Sequence, residues 1–145
     1  MMQRILAGIL IVTATVSFGR IALAQSETYK ARLSRVPIEN STLAGITGSG
    51  SATAVLTGRS LSVRGTFDGM RTAATIAQIH LGPRGVRGPV MFNLMVTKGT
   101  SGTITGMFML TAEQAEAVRR SRFYIQIHSE QAPDGNLWGW LLPMT

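Results

Sequence analysis

Residues 75–81 read Thr-Ile-Ala-Gln-Ile-His-Leu, and residues 122–128 read Arg-Phe-Tyr-Ile-Gln-Ile-His. Both runs predict strands. The triplet Gln-Ile-His therefore occurs twice, at 78–80 and 126–128, and it contains the only two histidines of the 145-residue chain. Because side chains alternate between the faces of a strand, Gln and His of each triplet share one face and Ile takes the other. If the two strands pair, they form a polar ladder backed by a buried apolar layer.

A loop rich in glycine and proline follows each triplet. The first is Gly-Pro-Arg-Gly-Val-Arg-Gly-Pro at 82–89, and the second is Ser-Glu-Gln-Ala-Pro-Asp-Gly at 129–135. Glycine and proline in such runs end strands and form turns. The sequence therefore predicts two strands that each lead into a loop beside their histidine.

Alternating short segments around the triplets predict an all-β domain. Thr57-Gly58-Arg59 joins two of these segments as a hairpin, and Thr111 with Gln114 forms a capping box for one short helix at 112–120. Pro37 and the polar composition of residues 36–48 predict a long loop. The expected fold is an antiparallel β-sandwich with one short helix, and its other strands are predicted at 28–33, 49–56, 60–67, 90–96, 102–110 and 136–142.

The N-terminus has the pattern of an export signal. A short positive start ends at Arg4, an apolar stretch runs over residues 5–19, and Ala22-Leu23-Ala24 offers small residues where a signal peptidase cuts. The expectation is a signal peptide at 1–24 and a mature domain at 25–145 without a membrane span, in the periplasm or secreted. An uncleaved N-terminal anchor is the alternative.

Composition excludes several classes of function. The chain has no cysteine, so disulfides, thiolate catalysis and cysteine metal sites are excluded. Loss of Arg4 and Arg20 with the signal leaves 12 basic and 7 acidic side chains, a net charge of +5. This charge favours solubility and weak attraction to anionic partners. The basic residues are scattered and aromatic residues are few, so nucleic acid is not an expected partner.

Taken in order, several segments of the mature chain resemble the CHRD domain family. The resemblance implies an immunoglobulin-like or superoxide-dismutase-like β-sandwich, but it implies no particular chemistry. The segments that carry it are Tyr29–Ser34, Phe67–Met70, Ala77–His80, Gly82, Gly85, Gly88–Leu94, Leu110–Gln114, Phe123–His128, Pro133–Gly135 and Gly139.

The chain departs from the family pattern at polar positions. Gln78 stands where the family commonly has the first histidine of His-x-His. The closing block reads Gly-Asn-Leu-Trp-Gly at 135–139 where the family usually has Gly-Glu-Ile-Arg-Gly. Val36-Pro37 is what remains of a common Glu-Val-Pro-Pro segment. A function that depends on those charges is therefore not expected to carry over.

The two histidines suggest a metal site. Imidazole is a common ligand of copper and zinc, so His80 and His128 are candidate ligands, with Asp134 or Glu130 as a third. The alternative is structural: each histidine fixes the end of its strand by a hydrogen bond to the following loop. Gln78 and Gln126 are candidate ligands or ladder partners on the same face.

Two further features suggest binding. Arg84 and Arg87 in the first loop could hold an anion, although a solvated hairpin loop explains the glycines equally. Trp138 and Trp140 share one face of the last strand, as a stacking surface or as part of the core.

No pattern for an enzyme is present. No serine or threonine stands in a nucleophile motif, and the carboxylates form no evident pair. The prediction is an exported, non-enzymatic binding or structural module of the cell envelope, whose partner is an envelope or extracellular protein or a glycan. No cofactor is required by this prediction, and the alternative is a copper- or zinc-binding periplasmic protein.

Overall fold

The computed structural model describes residues 17, 19, 22–37 and 46–145. Most of the predicted signal peptide and residues 38–45 of the predicted loop lie outside these residues. Within them, no helix is long and apolar enough to cross a membrane. Every strand of the described chain lies between residues 26 and 143, so the predicted mature domain contains the whole of the described fold.

The described part of the chain forms nine strands and one helix. The strands are β1 (Ser26–Arg35), β2 (Ser49–Thr57), β3 (Ser60–Asp68), β4 (Ala74–Leu81), β5 (Val90–Val96), β6 (Gly102–Met109), β7 (Phe123–Ser129), β8 (Leu137–Trp140) and β9 (Leu142–Pro143), and helix α1 is Ala112–Arg119. The strands expected from the sequence are all present, and the last of them is split into β8 and β9.

The strands join into one closed antiparallel barrel of eight strands rather than two separate sheets. The order is β2-β3-β6-β5-β4-β7-β8-β1, and β1 pairs again with β2 to complete the ring, while β9 extends the pairing of β1. The all-β class with one helix is confirmed. The predicted sandwich is not clearly present, because β1 and β5 each pair with strands of both halves and so close the two edges.

The barrel is filled by inward-facing apolar side chains. The hairpin of β2 and β3 is confirmed, with Thr57 paired to Ser60 across a turn in which Gly58 has φ +62°.

Helix α1 begins at the predicted capping box, where the Gln114 amide N–H donates to Thr111 Oγ1 at 3.1 Å. An ion pair also joins the helix to the barrel wall: Arg119 Nε donates to the Glu27 carboxylate on β1 at 3.0 Å. This ion pair holds the helix against β1, while Ala115 and Val118 of the helix join the main apolar core.

Candidate functional site

The two Gln-Ile-His triplets lie side by side in the barrel wall. Gln78 pairs directly with Gln126, and His80 pairs with Tyr124, in the antiparallel register of β4 and β7. Ile79 and Ile127 are fully buried in the core. The predicted polar ladder backed by an apolar layer is therefore present, on the outer face of these strands.

Each histidine is fixed by the loop that follows its strand. His80 Nδ1 lies 2.8 Å from Gly88 O, and His128 Nδ1 lies 2.7 Å from Pro133 O. A carbonyl oxygen only accepts hydrogen bonds, so each Nδ1 carries the proton. The structural role suggested for the histidines was a hydrogen bond to the following loop. That role accounts for Nδ1 of each ring but not for Nε2.

The second nitrogen of each ring has no such partner. His80 is 7% exposed and His128 is 9% exposed. Both Nε2 atoms are buried, and neither has a hydrogen-bond partner among the described residues. With Nδ1 protonated, Nε2 of the neutral ring presents a lone pair. A buried acceptor without a partner is costly, so this pair is the strongest chemical signal in the described chain.

The protein environment keeps His80 neutral. Burial is the main cause that lowers the pKa of His80 below 6.5, and the charges of His128 and Arg87 lower it further. The hydrogen bond to Gly88 O acts in the opposite direction, and it is outweighed. At neutral pH the His80 ring is therefore a lone-pair donor rather than a cation.

Hydrogen bonds hold the two glutamines in different directions. Gln78 Nε2 donates to Asn93 Oδ1 on β5 at 3.0 Å, whereas Gln126 Nε2 donates to Asp134 O in the β7–β8 loop at 2.8 Å. The glycine at 135 leaves room for the Gln126 amide in this position, since a Cβ there would collide with it. The glutamines therefore act as ladder partners that brace the site.

Arg87 connects the two loops above the ladder. Its Nη1 donates to Asp134 O at 2.7 Å, and its guanidinium lies 5.8 Å from the ring centre of Trp138. Arg84 lies elsewhere, beside Arg32 in a separate shallow cleft along β8. The two arginines therefore line different clefts, and Trp138 is close to Arg87 and also lines the cleft of Arg84.

The glycine amides of the first loop are largely occupied. Gly82 N–H donates to Arg122 O at 2.8 Å, and Gly88 N–H donates to Tyr124 Oη at 2.9 Å. Gly85 has φ +78°, as the hairpin-loop alternative requires. The loop therefore shapes one wall of the site more than it offers free amides to an anion.

An open pocket of about 550 Å³ lies between the two loops. We call it the histidine pocket. Arg87 is at its rim, and its wall includes Tyr124, whose ring is centred 4.9 Å from that of His80. Its other lining residues are Val36, Pro37, Ile46, His80, Gly88, Gln126, His128, Gln131, Ala132, Pro133, Asp134 and Gly135.

Trp138 is neither exposed nor inside the barrel. It is 8% exposed and belongs to a second apolar cluster outside the barrel wall, with Val36, Ile46, Tyr124 and Ala132. Leu137 and Leu141, on the opposite face, are in the main core. Trp138 therefore packs beside the histidine pocket, and it also lines the separate cleft that contains Arg84.

The structure brings the two candidate metal ligands together but does not add a third. The ring centres of His80 and His128 are 6.5 Å apart. Asp134 contributes its backbone carbonyl to Gln126 and Arg87, and Glu130 is exposed. Among the residues described, no group of three or more His, Cys, Asp or Glu side chains is placed to share an ion.

Sequence reasoning missed Tyr124 and Asn136. Tyr124 lies two residues before Gln126, so the alternation of the strand already placed it on the ladder face. Asn136 is fully buried; it accepts from Ser129 Oγ and donates to Thr47 O, each at 2.8 Å. In the sequence Asn136 stands out only as a departure from the family pattern, and its bond to Thr47 is not predictable because Thr47 lies far away along the chain.

Comparison with known proteins gives a family. A family model described as the CHRD domain matches residues 29–141, from the middle of β1 to the residue after β8. No curated protein and no solved structure matches the chain. The matched range contains the histidine pocket and both of its loops, and the chain belongs to the CHRD domain family.

Proposed function

We propose that the chain is an exported, non-enzymatic binding module of the cell envelope and that it binds its ligand at the histidine pocket. The observation that carries the proposal is the pair of buried Nε2 acceptors of His80 and His128. Their cost is offset when a ligand supplies the missing partner. The CHRD family membership supports a binding or structural module.

The arrangement of the histidines favours binding over catalysis. A histidine that acts as a base for a nucleophile is oriented by a third group and has a hydroxyl or thiol within hydrogen-bond reach. Here both Nδ1 atoms bond to loop carbonyls, and in the described residues neither Nε2 meets a hydroxyl. The chain uses both rings as fixed acceptors.

Export and an anionic partner follow from sequence and charge. The signal pattern at 1–24 supports export, and the net charge of +5 on residues 25–145 favours negatively charged envelope polymers. Arg87 places one of these charges at the rim of the pocket. A ligand whose anionic group meets Arg87 then satisfies the imidazoles through a neighbouring hydrogen-bond donor, such as a hydroxyl group, because each Nε2 is an acceptor.

Co-sedimentation with isolated cell-wall sacculi tests the proposal. Arg87→Ala is expected to reduce the bound fraction of residues 25–145. Arg64→Ala removes another exposed charge on β3, away from the pocket, and is expected to leave binding unchanged. Equal binding of both variants and the wild type would contradict a role for the pocket.

Metal binding is the second candidate function, and the same two Nε2 atoms favour it. Imidazole with its Nδ1 proton held by a carbonyl is the usual state of a metal-bound histidine.

A further inference from the structure

The two loops approach the histidines from opposite ends of one strand pair. β4 and β7 are antiparallel, with Leu81 paired to Phe123 at one end and Ala74 paired to Ser129 at the other. His80 bonds to the loop that leaves the first end, and His128 bonds to the loop that leaves the second. The two Nδ1 atoms therefore point toward opposite ends of the strand pair.

With the Nδ1 atoms directed to opposite ends of the strand pair, the Nε2 atoms are expected on the facing sides of the two rings, whose planes are inclined by 30°. The two nitrogens of an imidazole lie on roughly opposite sides of the ring, so a ring whose Nδ1 faces outward presents Nε2 inward. The repeated triplet thus places the two histidines on either side of the Gln78–Gln126 pair, with an irregular register between Ala74 and Ala77 beside His128. Both lone pairs are then expected to point into the space between the rings.

The spacing of the rings matches a single shared ion. A metal–imidazole bond is about 2 Å long, so two imidazoles in line with one ion have ring centres roughly 6 Å apart. The observed separation is 6.5 Å. No hydrogen bond joins the two rings, and both Nε2 atoms remain without a partner in the described chain.

The ligand set favours a monovalent ion. Zinc in proteins takes four ligands, or three and a water, and the described residues supply two. Copper(I) accepts two imidazoles in a linear arrangement. The Arg87 charge acts on His80, and it repels an ion of charge +1 less than one of charge +2. We propose that His80 and His128 bind one copper(I) ion between their Nε2 atoms. The inference rests on the histidine pocket being the ligand site of the proposed function.

Anaerobic titration with copper(I) against a chromogenic copper(I) chelator tests this assignment. Residues 25–145 are expected to bind one ion per chain. Loss of an outer-shell partner of a metal ligand typically costs 10–100-fold in affinity, so His80→Ala and His128→Ala, which each remove a ligand, are expected to weaken binding by more than about 100-fold. Circular dichroism of each variant separates loss of a ligand from loss of the fold.

Exposed methionines are the competing source of copper(I) affinity, because thioethers also bind this ion. Met107 and Met109 on β6 are 74% and 71% exposed. The double variant Met107→Leu/Met109→Leu is therefore the matched control and is expected to keep the bound ion. If the ion is lost in this variant and kept in the histidine variants, or if no ion binds, the assignment is overturned.

The two proposals fail separately. If copper(I) does not bind but Arg87→Ala still reduces sedimentation with sacculi, the pocket is a ligand site for another group and only the copper assignment fails. If neither effect occurs, the pocket itself is not the ligand site.

Discussion

Gln78 and Gln126 are direct partners across β4 and β7, so the two copies of the Gln-Ile-His triplet run antiparallel about one point. This single register puts both isoleucines in the core and both histidines outside it, each two residues along the chain from the glutamine of its triplet. A shift by one residue would exchange the faces and bury the histidines in the barrel. The histidine pocket therefore depends on a pairing that the apolar residues enforce.

The first prediction concerns that apolar layer. Ile79→Ala and Ile127→Ala each remove a fully buried side chain and are expected to lower the free energy of unfolding by about 2–5 kcal/mol. Ile76→Ala on the same strand is the control, since Ile76 is 47% exposed and is expected to cost about 1 kcal/mol or less. Denaturant unfolding measures all three. Equal losses at Ile76 and Ile79 would mean that the strand register is wrong.

The second prediction concerns the glycine beneath Gln126. Gly135 has φ +132°, and a methyl group there would meet the Gln126 amide and lie 3.4 Å from Val36 Cγ1. Gly85 also has a positive φ, but it has open space around it. Gly85→Ala is expected to cost about 1–2 kcal/mol from backbone strain alone. Gly135→Ala is expected to cost more, and thermal unfolding that ranks the two in the opposite order would contradict the packing.

The third prediction concerns pH. The hydrogen bond from Tyr29 Oη, with help from Arg119, lowers the pKa of Glu27 below 4.5 in the folded chain. A lowered carboxyl pKa stabilises the fold above the unfolded value, and this stabilisation is lost as pH falls through the folded pKa. The wild type is therefore expected to exceed Glu27→Gln in unfolding free energy at pH 7, and the gap is expected to close below pH 4.5. A gap of the same size at pH 7 and pH 3 would exclude this linkage.

The fourth prediction concerns export. Cleavage after Ala24 requires small residues at the two positions that the peptidase reads, so N-terminal sequencing of the exported chain is expected to begin at Gln25. Ala24→Phe is expected to block the cut, whereas Leu23→Phe, at the position between, is expected to leave it. Recovery of the full-length chain in the membrane fraction would support the uncleaved anchor instead.

Local patterns predicted most of the elements. Alternation located β4, β5 and β7, the Thr111–Gln114 capping box located α1, and the repeated triplet located the paired histidines. These features depend on neighbours along the chain, and the sequence displays them directly.

Features that depend on distant contacts were not predictable. Closure of the barrel depends on pairing of β3 with β6 and of β1 with β8, strands far apart in sequence. Alternation shows which residues share a face of a strand, but it cannot identify the core when both faces are covered. Loops cover the outer face of β8 as well, and Trp138 is buried there, outside the barrel. Asp134 acts through its carbonyl rather than its carboxylate because of the path of the loop, which composition does not specify.

The tautomer of the two histidines is the most direct test of the account. Long-range ¹⁵N correlation spectra of residues 25–145 at neutral pH are expected to show both rings with the proton on Nδ1 and a bare Nε2. Addition of copper(I) under anaerobic conditions is then expected to shift both Nε2 resonances together. A proton on Nε2 of either ring, or a copper(I) response at neither nitrogen, would contradict the shared site.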